Sequence, residues 1–201
     1  MVNYAIPTKL RERTIVWLKA NVSPKRLRHI LGVEATCIQL ARSHQLNEQQ
    51  AAQAGLMHDL AKFFPPQKLL KIAQDEAIAI DSICYHHPHL LHADVSAIVA
   101  NQEFGIKDPE VLAAIQNHTL GSPEMGLLSC VVYVADAIEP HRGDTPELNH
   151  LRQLATNNLY QSVQQTSDYS LNYLVKSGKV IHPRTVLTRN WALAKSKQLL
   201  K

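Results

Sequence analysis

The dipeptide His58-Asp59, inside the run Gly55-Leu56-Met57-His58-Asp59-Leu60-Ala61-Lys62, constrains this chain more than any other feature. A histidine and a carboxylate ending an otherwise apolar segment are costly to bury unless something pairs with them. Imidazole nitrogen with carboxylate oxygen suits a first-row divalent ion such as iron, zinc or manganese. A His-Asp pair alone arises by chance in many chains. Its weight here comes from four other positions: His29 upstream, and His92, His118 and Asp136 downstream. Each lies on a segment that reads as helix, and one helix or helical hairpin separates each from the next.

The spacing predicts helices throughout. Leu10, Ile15, Val16, Trp17 and Leu18 among charges make an amphipathic helix over Thr8 to Ala20. Ser23-Pro24 is an N-cap followed by proline, opening a helix with Arg26 and His29 on one face. Asn47 with Gln50 resembles a capping box for a helix running to Phe64, which places His58-Asp59 in its last two turns. A helix follows over Pro66 to Ala79, then an irregular stretch from Asp81 to Pro88. Further helices run from Leu90-Leu91-His92 to Phe104, and from Glu110 to about Thr119, ending in His118. Ser122-Pro123 starts an apolar helix that reaches Asp136 and closes at Pro140. Two or three more fill Pro146 to Leu200, with Gly178 as a stop. The expected architecture is all-α: a single helical bundle over residues 23–200, preceded by a helical extension over 1–22.

Composition agrees. At 201 residues and 45% hydrophobic content the chain can bury one sizeable core, and aromatics at 5% with seven glycines disfavour a sheet. A net charge of +4 without a dense Lys/Arg run disfavours nucleic acid and suits a small anionic substrate. Cys37, Cys84 and Cys130 are far apart, odd in number and set among apolar residues, as reduced core thiols of a cytosolic protein are. The N-terminus carries Lys9, Arg11, Glu12 and Arg13 with no apolar signal region, and the longest apolar stretch, Gly126 to Ile138, is too short for a bilayer. A cytoplasmic location is expected.

Asp136 follows almost two turns of apolar residues, so it too needs charged partners if buried. His29, His58, Asp59 and Asp136 form the candidate set for one metal, and His92 with His118 for a second. His86, His87 and His89 lie in a polar loop and read as solvated; His44, His141 and His150 read as surface residues. His182, before Pro183, fits a structural role and a place near the substrate equally well.

In this order, His29, His58-Asp59 and Asp136 resemble the H…HD…D signature of the HD-domain metal-dependent phosphohydrolases. Longer strings resemble the YqeK-type bacterial members: Arg26-x-x-His29, Leu90-Leu91-His92, Ala114-Ile115-x-x-His118-Thr119, Tyr133-x-Ala135-Asp136-x-Ile138-Glu139-Pro140-x-Arg142, Ile181-His182-Pro183-x-Thr185 and Arg189-Asn190. The match runs from about Ser23 to Ala192. Its departures are the histidine-rich loop at 86–89 and Gly121-Ser122-Pro123, where relatives often carry a basic residue.

The resemblance implies an HD fold and symmetrical hydrolysis of diadenosine tetraphosphate to two ADP. It implies an iron centre, with manganese, cobalt or zinc as other candidates, and a binuclear arrangement in which Asp59 bridges to a second ion held by His92 and His118. Asp59 and Lys62 would then be catalytic. Arg26, Lys62 and Arg142 would meet phosphates, with His92, His118, His182 and Arg189 also at the substrate. Two other functions fit the scaffold: another HD nucleotidase or phosphodiesterase, and a non-catalytic nucleotide or RNA sensor. The sensor would be expected to lose ligands, and all six candidate positions are present. Trp17 could seat the N-terminal segment on its own core or on a second copy in a homodimer.

Overall fold

Prolines and short polar side chains cut this chain into its elements. In the computed structural model, which describes residues 7–198, every regular element is helical. In order these are α1 (Thr8–Asn21), α2 (Pro24–Ser43), α3 (Glu48–Met57), α4 (Pro66–Asp75), α5 (Ser82–His86), a 3-10 turn (Pro88–Leu91), α6 (His92–Phe104) and α7 (Pro109–Asn117). Then come α8 (Leu127–Ile138), a second 3-10 turn (Pro140–Arg142), α9 (Pro146–Ala155), α10 (Leu159–Lys176) and α11 (Pro183–Ser196). Proline occupies the first turn of α2, α4, α7, α9 and α11, where its missing N–H costs nothing. Side chains of Ser23, Asn47, Asp108, Thr145 and Asn158 cap the helices that follow them.

The core is centred on α8, whose residues from Leu128 to Ala135 are all buried. It packs against α2, α3, α7 and α10. The α2–α3 hairpin is close because Gly55 has no side chain: a Cβ there would lie 2.9 Å from Cys37 Sγ and 3.0 Å from Glu34 Cα. The first helix sits on this same core. Trp17 packs on Phe64 and Phe104, with centroids 6.1 Å away in each case, and Arg11 forks onto the buried Glu34 with two 2.8 Å hydrogen bonds. Among the described residues no helix is long and apolar enough to cross a membrane.

Several boundaries differ from the sequence expectation. The helix expected to reach Phe64 ends at Met57, and residues 58–63 form successive turns in which Lys62 and Phe64 bond carbonyls three residues back. Ser122-Pro123 begins a turn, not a helix; α8 starts after Gly126. The stretch from Asp81 to Pro88 holds the short α5, capped by Asp81. The helix from Pro66 stops at Asp75, before Ala77 at φ +53°. Asn47 caps α3, but the Gln50 side chain donates to Asp108 Oδ2 at 2.7 Å instead of closing a capping box. Three helices fill the C-terminal region, and Leu200 lies outside the described residues.

Candidate metal centre

Three histidines reach the middle of the bundle by one local device. His58 ends α3, His118 ends α7 and His92 ends the 3-10 turn before α6. Carbonyls in a last helical turn lack N–H partners. In each case the histidine Nδ1–H donates to the carbonyl three residues back: His58 to Gly55 at 2.7 Å, His92 to His89 at 2.6 Å and His118 to Ile115 at 2.7 Å. The bond fixes the tautomer, so every Nε2 presents a lone pair to the interior. His29, in α2, is held the same way by Glu139 Oε1 at 2.9 Å.

These four lone pairs face Asp59 and Asp136. Asp59 Oδ2 lies 3.3 Å from His58 Nε2 and accepts from Arg26 Nη1 at 2.9 Å. Its other oxygen, Oδ1, is 3.3 Å from His92 Nε2 and 3.6 Å from His118 Nε2. Asp136 Oδ1 is 3.0 Å from His29 Nε2 and 3.9 Å from His58 Nε2. Asp136 is less enclosed than expected, with its side chain 23% exposed, whereas Asp59 is at 2%. Asp59 is therefore the hub, and Asp136 lies at the solvent edge.

The electrostatics call for a cation. Burial alone would raise the Asp59 carboxyl, but the close imidazoles of His58, His118 and His92, that of His58 foremost, hold it well below the usual carboxylate range. Asp136 is likewise held low against burial, by His29 and Arg142. Burial would lower His58, yet the Asp59 charge draws it upward. His92 is pushed down to about 4, by burial first, and stays a neutral donor.

The donor set fits a first-row divalent ion. His29 Nε2, His58 Nε2 and Asp59 Oδ1 are buried without hydrogen-bond partners, an expensive arrangement that a metal would satisfy. Candidate ligand atoms of His29, His58 and Asp59 lie within 4.8 Å of one another, as do those of Asp59, His92 and His118. Asp59 belongs to both groups. The second group has partial compensation: Lys62 Nζ is 3.0 Å from His92 Nε2, and Thr119 Oγ1 is 3.1 and 2.9 Å from the His92 and His118 Nε2 atoms. The two Nε2 atoms are themselves 3.1 Å apart, two lone pairs held in opposition.

Two supports had no role on the basis of spacing. Glu139 is buried, and besides His29 it accepts from the His141 backbone N–H at 2.8 Å and from His141 Nδ1 at 2.9 Å. It fits because Gly32 lacks a side chain: a Cβ there would lie 2.3 Å from Glu139 Oε2. An acid directly before Pro140, at the end of an apolar helix, was the available signal. Thr119 is the other, and the loop after it is clamped by α11. Gly121, at φ +68°, leaves room for Thr188, whose Oγ1 donates to Leu120 O at 3.2 Å.

Of the remaining predicted residues, Arg26, Lys62 and Arg142 are at the cluster; Arg142 Nη2 bonds Asp136 Oδ1 at 2.6 Å. His182 and Arg189 have other partners. His182 Nε2 is 2.6 Å from the exposed Asp81 Oδ2 and its Nδ1 accepts from the Arg184 N–H, while Arg189 Nε donates to Asp168 Oδ1 at 2.7 Å. Asp81, Cys84 and His182 also lie close enough to hold an ion, but both ring nitrogens of His182 are already satisfied. His86 and His89 are exposed and His87 is half-buried, His141 and His150 are exposed, and His44 is half-buried with Nε2 2.7 Å from Ala155 O.

Comparison with known proteins agrees with this geometry. Residues 26–141 match the HD domain family. Over 186 residues the chain is 36% identical to the symmetrical bis(5'-nucleosyl)-tetraphosphatase of Bacillus subtilis, covering 92% of this chain and 99% of that protein. It is 32% identical to the protein of the same description from Halalkalibacterium halodurans, over 93% of this chain and 99% of that one. The crystal structure of a predicted HD superfamily hydrolase involved in NAD metabolism, from Clostridium acetobutylicum, superposes with a TM-score of 0.87. Its sequence identity is 32%, covering 92% of this chain and 97% of that one.

Proposed function

The chain belongs to the HD-domain family, and on that premise we propose that it hydrolyses diadenosine tetraphosphate symmetrically, releasing two ADP. The observation that carries the proposal is the set of three orphaned buried ligand atoms around Asp59, in a chain that is similar over nearly its whole length to symmetrical tetraphosphatases. His29, His58, Asp59 and Asp136 would hold iron, or manganese, cobalt or zinc, and His92 and His118 with Asp59 a second ion. Such an ion lowers the pKa of water from about 15.7 towards 7 and polarises a phosphoryl oxygen.

The protein's own groups do the rest. The bonds from Nδ1 to backbone carbonyls and to Glu139 keep four imidazoles oriented before anything binds, so no ordering cost falls on the reaction. Lys62, 3.0 Å from His92, supplies positive charge beside Asp59 where charge develops on the transferred phosphorus. Arg26 and Arg142, which pair with Asp59 and Asp136, flank the site and can fork onto phosphate oxygens. Attack on an inner phosphorus with ADP departing gives two identical products. His182 and Arg189 tie α11 to α5 and α10, and in this proposal they shape the substrate wall through those ties. The catalytic unit runs from residue 23 through the C-terminal helices, with 1–22 as an extension, and works in the cytoplasm.

Asp59→Ala tests this. Hydrolysis should disappear and bound metal should fall while the far-ultraviolet helical signal persists; near-normal turnover would refute the assignment. The rival HD nucleotidase is favoured only if mononucleotides are cleaved and diadenosine tetraphosphate is not.

A further inference from the structure

Beside the metal centre opens a cleft of about 270 Å³ lined by Ser23, Lys25, Arg26, His29, Phe63, Glu139, His141 and Arg142. Its composition is unusual for a surface hollow. His29 brings one candidate metal ligand to the wall, and Lys25, Arg26 and Arg142 make the lining cationic. Glu139, the acid among them, is buried and already committed to His29 and His141. The remaining large side chain is Phe63, which is 52% exposed. A single exposed apolar side chain is ordinary by itself. What separates Phe63 from the others is its setting. Its neighbour Phe64 turns inward onto Trp17, under the Lys68 ammonium at 3.5 Å, while the irregular turns after His58 leave Phe63 facing outward beside three cations.

We propose that Phe63 is a stacking platform for the base of one nucleoside half, with Lys25, Arg26 and Arg142 holding the phosphates that lead from it to the metal centre. The proposal rests on the function proposed above and extends it to how the substrate is recognised. A flat ring beside cations matches a flat, apolar base joined to an anionic chain, and an aromatic face takes any base because every base has a π-face. Among the described residues no amide side chain lines the cleft to read a base edge. Purines other than adenine should therefore be accepted. Arg26 and Arg142 are paired with Asp59 and Asp136, whereas Lys25 forms no ion pair with an acidic side chain among the described residues.

The test compares the metal-loaded wild type with Phe63→Ala and Phe63→Trp, titrating each with ADP and with inorganic pyrophosphate, and measuring KM and kcat for diadenosine tetraphosphate. Phe63→Ala should weaken ADP binding and raise KM by about ten-fold, within the range found for removing a base-stacking ring. Pyrophosphate binding and kcat should hardly change, and Phe63→Trp should restore ADP affinity. Wild-type ADP affinity in Phe63→Ala would overturn the proposal, and so would an equal loss for ADP and pyrophosphate. The two hypotheses fail separately. If wild type leaves diadenosine tetraphosphate intact, the proposed function fails, while the ADP and pyrophosphate titrations still decide the role of Phe63.

Discussion

Replacing Gly32 by alanine should weaken metal retention without weakening the fold. Gly32 lies in the interior of α2, where alanine is favoured over glycine by about 1 kcal/mol. Helix propensity alone therefore predicts a more stable protein. The structure predicts a different cost, because the new Cβ would lie 2.3 Å from Glu139 Oε2, 3.1 Å from Glu139 Cδ and 3.0 Å from His141 Nδ1. These are side-chain atoms, so the carboxylate can move aside while the backbone stays. Its departure removes the 2.9 Å partner of His29 Nδ1, which fixes the tautomer that leaves Nε2 free for a metal. Loss of such a supporting bond costs about 10- to 100-fold in metal affinity or activity, or roughly 1.4–2.8 kcal/mol. The assay is competition with a chelator of known affinity, alongside thermal unfolding of the metal-free protein. Affinity should fall by that factor with the metal-free Tm unchanged or slightly raised, and Glu139→Gln should reproduce the affinity loss. Gly55→Ala is the contrasting control: it meets Glu34 Cα, a backbone atom, at 3.0 Å and should lower Tm. Wild-type metal affinity in Gly32→Ala would refute the reasoning.

His92 is held at about 4 by burial and by the Lys62 charge, against an unfolded value near 6.5, so the unfolded chain takes up a proton that the folded one refuses as pH falls through that window. In chelator-treated protein, stability should therefore fall from pH 6.5 towards 4 by up to about 3 kcal/mol more for wild type than for His92→Gln, and parallel urea-unfolding profiles would contradict this. Burial pushes the Cys84 thiol up to about 11 and Cys130 to about 12, with Cys37 also raised well above its ordinary value. At pH 8 the native thiols should alkylate on the order of 100-fold more slowly than in denaturant, where all three should label; fast native labelling would refute the assignment of these residues to the core.

Much of the scaffold was legible because its helix starts are chemically marked. Ser23-Pro24 and Asp108-Pro109 announce α2 and α7, and Gly105 at φ +73° ends α6 where expected. The ligand candidates were legible for a related reason: His58, Asp59 and Asp136 interrupt apolar runs, and buried charge needs a partner. The end of α3 was not legible. His58 takes the Gly55 carbonyl with its side chain, and hydrophobic spacing cannot register a bond of that kind. The role of Glu139 was not legible either, since its contact with His29 spans 110 residues and depends on the absence of a side chain at Gly32. The partners of His182 and Arg189, Asp81 and Asp168, are also products of tertiary packing, at separations of 101 and 21 residues.

The most direct test of the central claim is the identity of the first products. Metal-loaded protein is incubated with diadenosine tetraphosphate and the nucleotides are separated at low conversion, with Asp59→Ala as the control. ADP should be the sole nucleotide product of wild type and should be missing from the control. ATP and AMP appearing together in equal amounts would contradict symmetrical cleavage at this centre.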